Sequence, residues 1–330
     1  IALIYLINKN NKILINFFYC LLCCFFILCL DGYFQYFFKY NLIGYEISPT
    51  NRVSSFFGDE LILGSYLSRL WPILFGLAIL FRDKIKVNFL LIILIFIFSE
   101  SLIFLSGERT AFFYINFSAI FVILLINKYR LMRFITLISS LLLIISISMF
   151  NEEPKVRIVD QTLKQIQVNE NTDKDDKALN FKNIEFFIFS KQHTHLIQTA
   201  YKAFLDNKIL GIGIKNFKNI CHREEYYISN LSCSNHPHNS YVQLLAEIGL
   251  FGLIFLLLAS TIFLFNIFKH LLLMFKKKYL FNDFEICILS SIAITLWPIA
   301  PTGNFFNNWL SIIYFLPIPL LIWSLNSKKD

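Results

Sequence analysis

Eight apolar stretches, near residues 13–30, 61–81, 87–105, 110–127, 134–150, 240–268, 284–301 and 309–325, dominate the chain. Each approaches or exceeds the ~18 residues that mark a membrane-crossing helix. A backbone inside lipid must satisfy its own hydrogen bonds, and a helix does so within one segment. The pattern predicts an all-α, polytopic helical membrane protein with about eight full transmembrane helices. Composition agrees, with 56% hydrophobic and 16% charged residues, against about 45–50% and 25% in soluble domains. The opening IALIYLI reads as the tail of a helix already under way. It is an N-terminal stub, expected to follow spans that this sequence lacks.

The connections sort by charge. Lys9 and Lys12, then Arg82, Lys84 and Lys86, then Lys128, Arg130 and Arg133 fall on alternate connections. Lys269, Lys276 to Lys278, Lys328 and Lys329 continue the series. Cations concentrated this way mark cytoplasmic loops. The formal charge of +8 therefore reports topology, and no nucleic-acid partner is expected. Residues 31–60, 106–109, 151–239 and 302–308 fall on the opposite, outer side. The organisation expected is a bundle over 1–150, an extracytoplasmic loop over 151–239 and a second bundle part over 240–330.

The outer loop has two halves. Residues 151–183, including NENTDKDDKALN, are polar and unpatterned, as expected of a solvated, mobile surface. Asp173 and Asp175 have the look of a metal-and-nucleotide acidic pair, but a charge run in water is the preferred reading. Between Lys191 and Asn207, Leu196, Ile197, Ala200, Phe204 and Leu205 recur at helical spacing. They predict an amphipathic helix resting on the membrane or the other spans, stopped by Asn207 and by Gly211-Ile-Gly213. That glycine pair is no dinucleotide loop, since it lacks a third glycine and a preceding strand. Cys20, Cys23, Cys24, Cys29 and Cys287 lie in spans and read as small packing residues. Cys221 and Cys233 share the outer loop, where an oxidising compartment favours a disulfide.

Ionisable groups interrupt the spans at Arg69, Glu100 and Glu247. Each costs about 2.5–3.5 kcal/mol at mid-bilayer and should face protein, a partner or water. Arg69 and Glu100 suit a structural or a functional role equally. Arg109, in the tight outer turn SGERTA, suits a phosphate, whose geometry a guanidinium fork matches. Five of the six histidines, His193, His195, His222, His236 and His238, lie in the outer loop. Their spacings fit no established metal-ligand pattern, so no metal is expected. A neutral imidazole can instead accept a proton from a sugar hydroxyl. His238 is the better base because a helix begins just after it. Ser240 and Gln243 have the spacing of a capping box that would rigidify that entry, and His236 then orients the turn.

His238-Asn239, nine residues, then Gly249-Leu-Phe-Gly252 resembles the signature of the bacterial O-antigen ligase and O-antigen polymerase superfamily. The upstream GIGIKNFKNIC resembles that family's Gly-x-Gly-x-x-x-Phe element. SGERTA and RVSSFFGDELILGSYL resemble its two arginine elements. The four matches, in order, cover most of residues 52–252.

The resemblance implies a metal-independent membrane glycosyltransferase of the GT-C type that needs no cofactor. It would act at the periplasmic face of the bacterial inner membrane. Its donor would be an oligosaccharide on undecaprenyl pyrophosphate, and its acceptor a glycan or lipid A core. His238 would be the base, and Arg109 and Arg52 donor phosphate ligands. The family's further arginine at the start of the loop helix has no counterpart, since the region reads SKQHTHL. His193 or Lys191 occupies the comparable place, and Lys215 and Lys218 offer further phosphate contacts. The signature serves ligase and polymerase alike. Two rivals remain, a transporter of lipid-linked glycan or a small anion and a protein O-oligosaccharyltransferase.

Overall fold

Helices form wherever the apolar runs continue unbroken, and they end at caps, glycines or charged connections. The computed structural model describes residues 2–10, 12–160, 179–181, 184–186 and 190–327. The Asp173 and Asp175 pair and the cations Lys328 and Lys329 lie outside them. The principal helices in chain order are α1 (Ala2–Lys9), α2 (Lys12–Phe38), α3 (Leu63–Leu80), α4 (Phe89–Leu105), α5 (Arg109–Leu125) and α6 (Arg130–Phe150). They continue with α7 (Lys191–Asp206), α8 (Ser240–Ile248), α9 (Leu250–Phe275), α10 (Asp283–Leu296), α11 (Asn308–Phe315) and α12 (Pro317–Asn326).

The architecture is all-α and membrane-spanning, and among the described residues one short hairpin pairs Leu179–Phe181 with Ile184–Phe186. Among the described residues, five helices are long and apolar enough to cross a bilayer. These are α2, α3, α6, α9 and the combined stretch Asn308–Asn326. Helices α4 and α5, at 17 residues each, and α10, at 14, are apolar but shorter.

The chain divides into two units. The first comprises Ile1–Asp160, His270–Thr295 and Ile313–Asp330. Its centre is aromatic, with Trp71, Phe75 and Phe96 packed at ring separations of 4.9–5.2 Å. Arg133 was expected on a cytoplasmic connection, but it lies inside α6, fully buried, with its guanidinium 4.1 Å from the Trp71 ring. There it pairs with Glu100 at 2.7 Å, and the Ser140 hydroxyl donates to the same carboxylate. Removing one partner of such a pair strands a buried charge, which costs about 3–5 kcal/mol. Glu100→Ala should therefore lower the thermal midpoint of the detergent-solubilised protein sharply, whereas the double change Glu100→Leu with Arg133→Met should recover most of it. Arg69 is held between the rings of Tyr114 and Tyr314, at 4.8 and 4.9 Å. Both span charges thus have structural partners.

One connection in this unit positions a predicted site residue. Asp31 and Gln35, both buried in α2, accept from Leu42 N, the Ser55 hydroxyl, Ser54 N and Ser55 N. These bonds fold residues 39–55 back over the end of α2 and fix the path on which Arg52 lies.

The second unit comprises Gln161–Lys269 and Leu296–Ile312. Leu196, Ala200 and Ala203 of α7 are fully buried with Phe217, Ile220, Tyr226 and Ala246. Of the predicted apolar face, Leu196 and Ala200 enter this core while Leu205 is exposed. The Cys221–Cys233 disulfide closes the segment that covers the core, with Cα atoms 5.2 Å apart. Among the span cysteines only Cys29 and Cys287 are buried.

The expected single span over 240–268 is divided. Gly249, at φ 76° and ψ −155°, ends α8 and lets α9 start in a new direction. Residues 208–213 fit into that break, with Ile212 N donating to Ala246 O, Gly213 N to Glu247 O and Leu250 N to Lys208 O, all at 2.9–3.0 Å. The backbones of Gly211 and Gly249 are in direct contact, and a Cβ on Gly211 would sit 2.6 Å from Glu247 O. The Glu247 carboxylate is buried and accepts from Phe217 N and Gln243 Nε2. The two glycine elements therefore form one junction.

Candidate functional site

Two clusters hold the residues singled out from the sequence, one in each unit. In the second unit, Asn239 caps α8, its side-chain oxygen accepting from Tyr241 N and Val242 N at 3.0 and 3.1 Å. The cap lies one residue before the predicted one, so Ser240 and Gln243 form no capping box. Ser240 instead meets the Thr302 hydroxyl, and Gln243 reaches Glu247, Asn304 and Phe305 N.

His238, just before the cap, has a left-handed backbone at φ 56°. A non-glycine residue held there costs on the order of 1–3 kcal/mol and persists only when its surroundings enforce it. The enforcing element is the segment 298–305. Thr302 N donates to His238 O, His236 Nε2 lies 3.2 Å from Thr302 O, and Asn239 Nδ2 donates to Pro298 O. Sequence reasoning missed Thr302 and Asn304, which carry no motif of their own.

Three imidazoles converge here. The ring centres of His236 and His238 are 4.1 Å apart, and those of His193 and His238 are 5.6 Å apart. His193 arrives on the first turn of α7, with Nδ1 2.7 Å from the hydroxyl of the capping Ser190. His238 Nε2 lies 3.3 Å from the Ser234 hydroxyl. Burial lowers the His238 pKa from its ordinary value, so the ring is neutral and able to accept a proton at neutral pH.

His236 is pushed down to about 4 by burial, then by the neighbouring His238. The unfolded chain binds this proton near pH 6.5 and the folded chain does not, so stability is lost as pH falls from about 6.5 toward 4. The full effect is on the order of 3 kcal/mol. Thermal midpoints measured across that window should fall steeply for the wild type and less steeply for His236→Asn.

In the first unit, the turn Ser106–Arg109 joins α4 to α5. Glu108 accepts from Gly64 N, Ser65 N and the Ser65 hydroxyl, and so caps the start of α3. Arg52 Nε donates to Ser106 O at 2.8 Å and Arg157 Nε donates to Gly107 O at 3.0 Å. The two guanidiniums flank Gly107, where a Cβ would lie 3.0 Å from both side chains. Burial, then Arg157, and more weakly Arg109, pull the Arg52 pKa down. Three cations therefore share one place, with Glu108 the carboxylate that partly offsets Arg52. Such an arrangement fits a multiply charged anion, with guanidinium edges supplying paired donors.

Arg157 was not singled out from the sequence. Residues 151–160 were expected to be mobile surface, but they form a turn, Glu153–Lys155, and a wider one, Val156–Asp160. Buried Pro154 and Ile158 anchor them. The available signal was the apolar pattern of PKVRIVD beside the acidic run.

Lys215 is exposed and at φ 58°. Cys221, His222 and Cys233 are close enough to suggest a metal site, but the two sulfurs are bonded to each other.

No curated protein and no solved structure matches the chain. The family described as O-antigen ligase matches residues 89–257, a stretch that opens at α4, takes in the arginine turn and both glycine elements, and closes in α9. Half of the chain is covered, including His238 and Arg109, and the chain therefore belongs to the O-antigen ligase family, whose members are glycosyltransferase-type enzymes.

Proposed function

We propose that this protein transfers an oligosaccharide from undecaprenyl pyrophosphate to a glycan acceptor at the outer face of the bacterial inner membrane. The observation that carries this reading is the enforced left-handed backbone of His238 beside two further imidazoles, at the first residue of the family signature. His238 takes the proton of an acceptor hydroxyl. The oxygen attacks the anomeric carbon of the donor sugar, and the bond from that carbon to the phosphate oxygen breaks. The lipid pyrophosphate departs carrying its charge, and Arg52, Arg109 and Arg157 stabilise it. His193 completes the imidazole group, and Lys215 remains a peripheral cation for the same donor. The donor is already activated, so the reaction calls for no nucleotide.

The test is transfer by the purified protein in nanodiscs, supplied with lipid-linked oligosaccharide and either lipid A core or a second repeat unit. A product with one acceptor assigns the protein as ligase or polymerase. Movement of the donor across the bilayer without any product would refute the reading in favour of transport.

Arg157 extends the cation set. Arg157→Ala should raise the donor KM by roughly 10-fold or more, the scale of one lost hydrogen bond to a charged group, with acceptor KM unchanged. Arg157→Lys should recover only part, because an ammonium lacks the paired donors. Equal effects on both substrates would remove Arg157 from the donor site.

A further inference from the structure

One surface of the second unit matches neither a core nor a catalytic role. Helix α7 packs one side into the unit's own core, yet Tyr201 and Leu205 on another side are exposed. The strip that follows is more apolar still, with Ile209 63%, Leu210 73% and Ile214 60% exposed. Contiguous exposed apolar groups of this kind need an explanation. Lys202, Lys208, Lys215 and Lys218 surround the strip, and Asp206 is the one acid between positions 201 and 218.

The strip is bonded to the start of a spanning helix, through Leu250 N to Lys208 O. That helix, α9, faces outward along nearly its whole length, with 11% of its spanning window buried. Its run without a charged residue goes from Leu250 to Phe268, immediately before Lys269. At 1.5 Å per residue the run is roughly 28 Å long, close to the ~30 Å hydrocarbon thickness of a bilayer. Leu250 therefore falls at one boundary of the hydrocarbon, and the strip bonded to it falls in the adjoining headgroup layer.

We infer that residues 201–218 form an interfacial membrane anchor, with Ile209, Leu210 and Ile214 inserted among lipid chains and the surrounding lysines on anionic headgroups. Such elements bury their apolar face about 5–10 Å into the boundary, with electrostatic help from anionic lipid. The anchor holds the Gly211–Gly249 junction at the surface, and the nine-residue helix α8 links that junction to His238 just before its cap. It thereby sets the height at which His238 works. This inference concerns lipid contact and stands whether or not the transfer reading holds.

The full-length protein, its five free cysteines replaced by serine and the disulfide kept, would carry a fluorophore on Leu210→Cys or, as control, on exposed Glu224→Cys. Both would be measured in nanodiscs containing anionic lipid. Lipids spin-labelled near the headgroup should quench the label at position 210 roughly twofold, as expected for that insertion depth, and leave 224 nearly unchanged. Aqueous iodide should do the reverse. Quenching by iodide equally at both positions would overturn the inference, because the strip would then face water. Protection of position 210 from both quenchers would also overturn it, since the strip would then be covered by protein. A monodisperse elution profile and an intact Cys221–Cys233 disulfide would establish that the substituted chain is folded, and Ile214→Glu in the native-cysteine chain gives an independent readout. It should release the anchor and weaken binding of the strip to anionic over neutral nanodiscs, read as lost protection from trypsin at Lys208 and Lys215.

Discussion

Replacing His238 with alanine is expected to lower turnover by roughly 10²–10⁴-fold, the range that a positioned general base contributes. Donor binding should change little. The backbone is held in its left-handed conformation by Thr302 N on the His238 carbonyl, so truncation removes the 3.3 Å contact to the Ser234 hydroxyl and leaves the backbone bonds in place. The disulfide and the thermal midpoint should remain near wild type, which separates lost chemistry from lost fold. The pH profile offers a second readout. Because burial lowers the His238 pKa, the neutral form persists below pH 6.5, and the wild-type rate should fall only at more acidic pH. His193→Ala should retain measurable turnover. Initial rates in nanodiscs at saturating donor would decide it. A His238→Ala protein with wild-type turnover would remove the base and leave the proposed mechanism without one.

Much of this arrangement was legible in the sequence, for identifiable reasons. Apolar runs longer than a membrane is thick permit little besides helices, so the all-α class followed from pattern alone. His238 was legible because its spacing to Gly249 and Gly252 is a local property of one segment. The break at Gly249 was not, since apolar residues lie on both sides and hydropathy reads straight across. The contact that divides the segment comes from residues 208–213, nearly forty positions earlier, and rests on a backbone conformation. Thr302 lies more than sixty positions beyond His238, and its role there is largely played by backbone atoms that any residue possesses. Arg157 was lost in a polar stretch because charge near charge reads as solvated surface. Its meaning comes from the return of the chain after α6 to Gly107 O. Arg133 was misassigned because a cation at the start of a span looks like a loop cation until Glu100 on another helix is seen beside it.

The largest effect on folding is expected from Gly249→Ala. At φ 76° and ψ −155° the residue occupies a region essentially reserved for glycine, and a side chain there costs about 1–3 kcal/mol in strain. Space is a separate problem. The added Cβ would lie 2.5 Å from the carbonyl carbon of Ile209 and 2.7 Å from Gly211 N. Those atoms are backbone, so relief requires residues 208–213 to leave the break, and Leu250 N then loses Lys208 O. Overpacking of this kind adds about 1–3 kcal/mol, and the sum is a large fraction of the 5–15 kcal/mol that holds a typical domain folded. Gly211→Ala should behave alike, since its own Cβ meets Glu247 O from the other side at φ 69°. The double variant should cost less than the two single changes added together, because both release the same contact. Gly252→Ala is the control. It lies within α9 without a positive φ, and its closest contacts, at 2.9 Å, are Ile248 Cβ and Leu244 O of α8, so it meets crowding without backbone strain and its cost should be smaller. Thermal midpoints in detergent, with trypsin cleavage of residues 208–218 as a local probe, would measure the series. A Gly249→Ala protein as stable as Gly252→Ala would mean that the junction is not what joins the segment bearing His238 to its membrane helix.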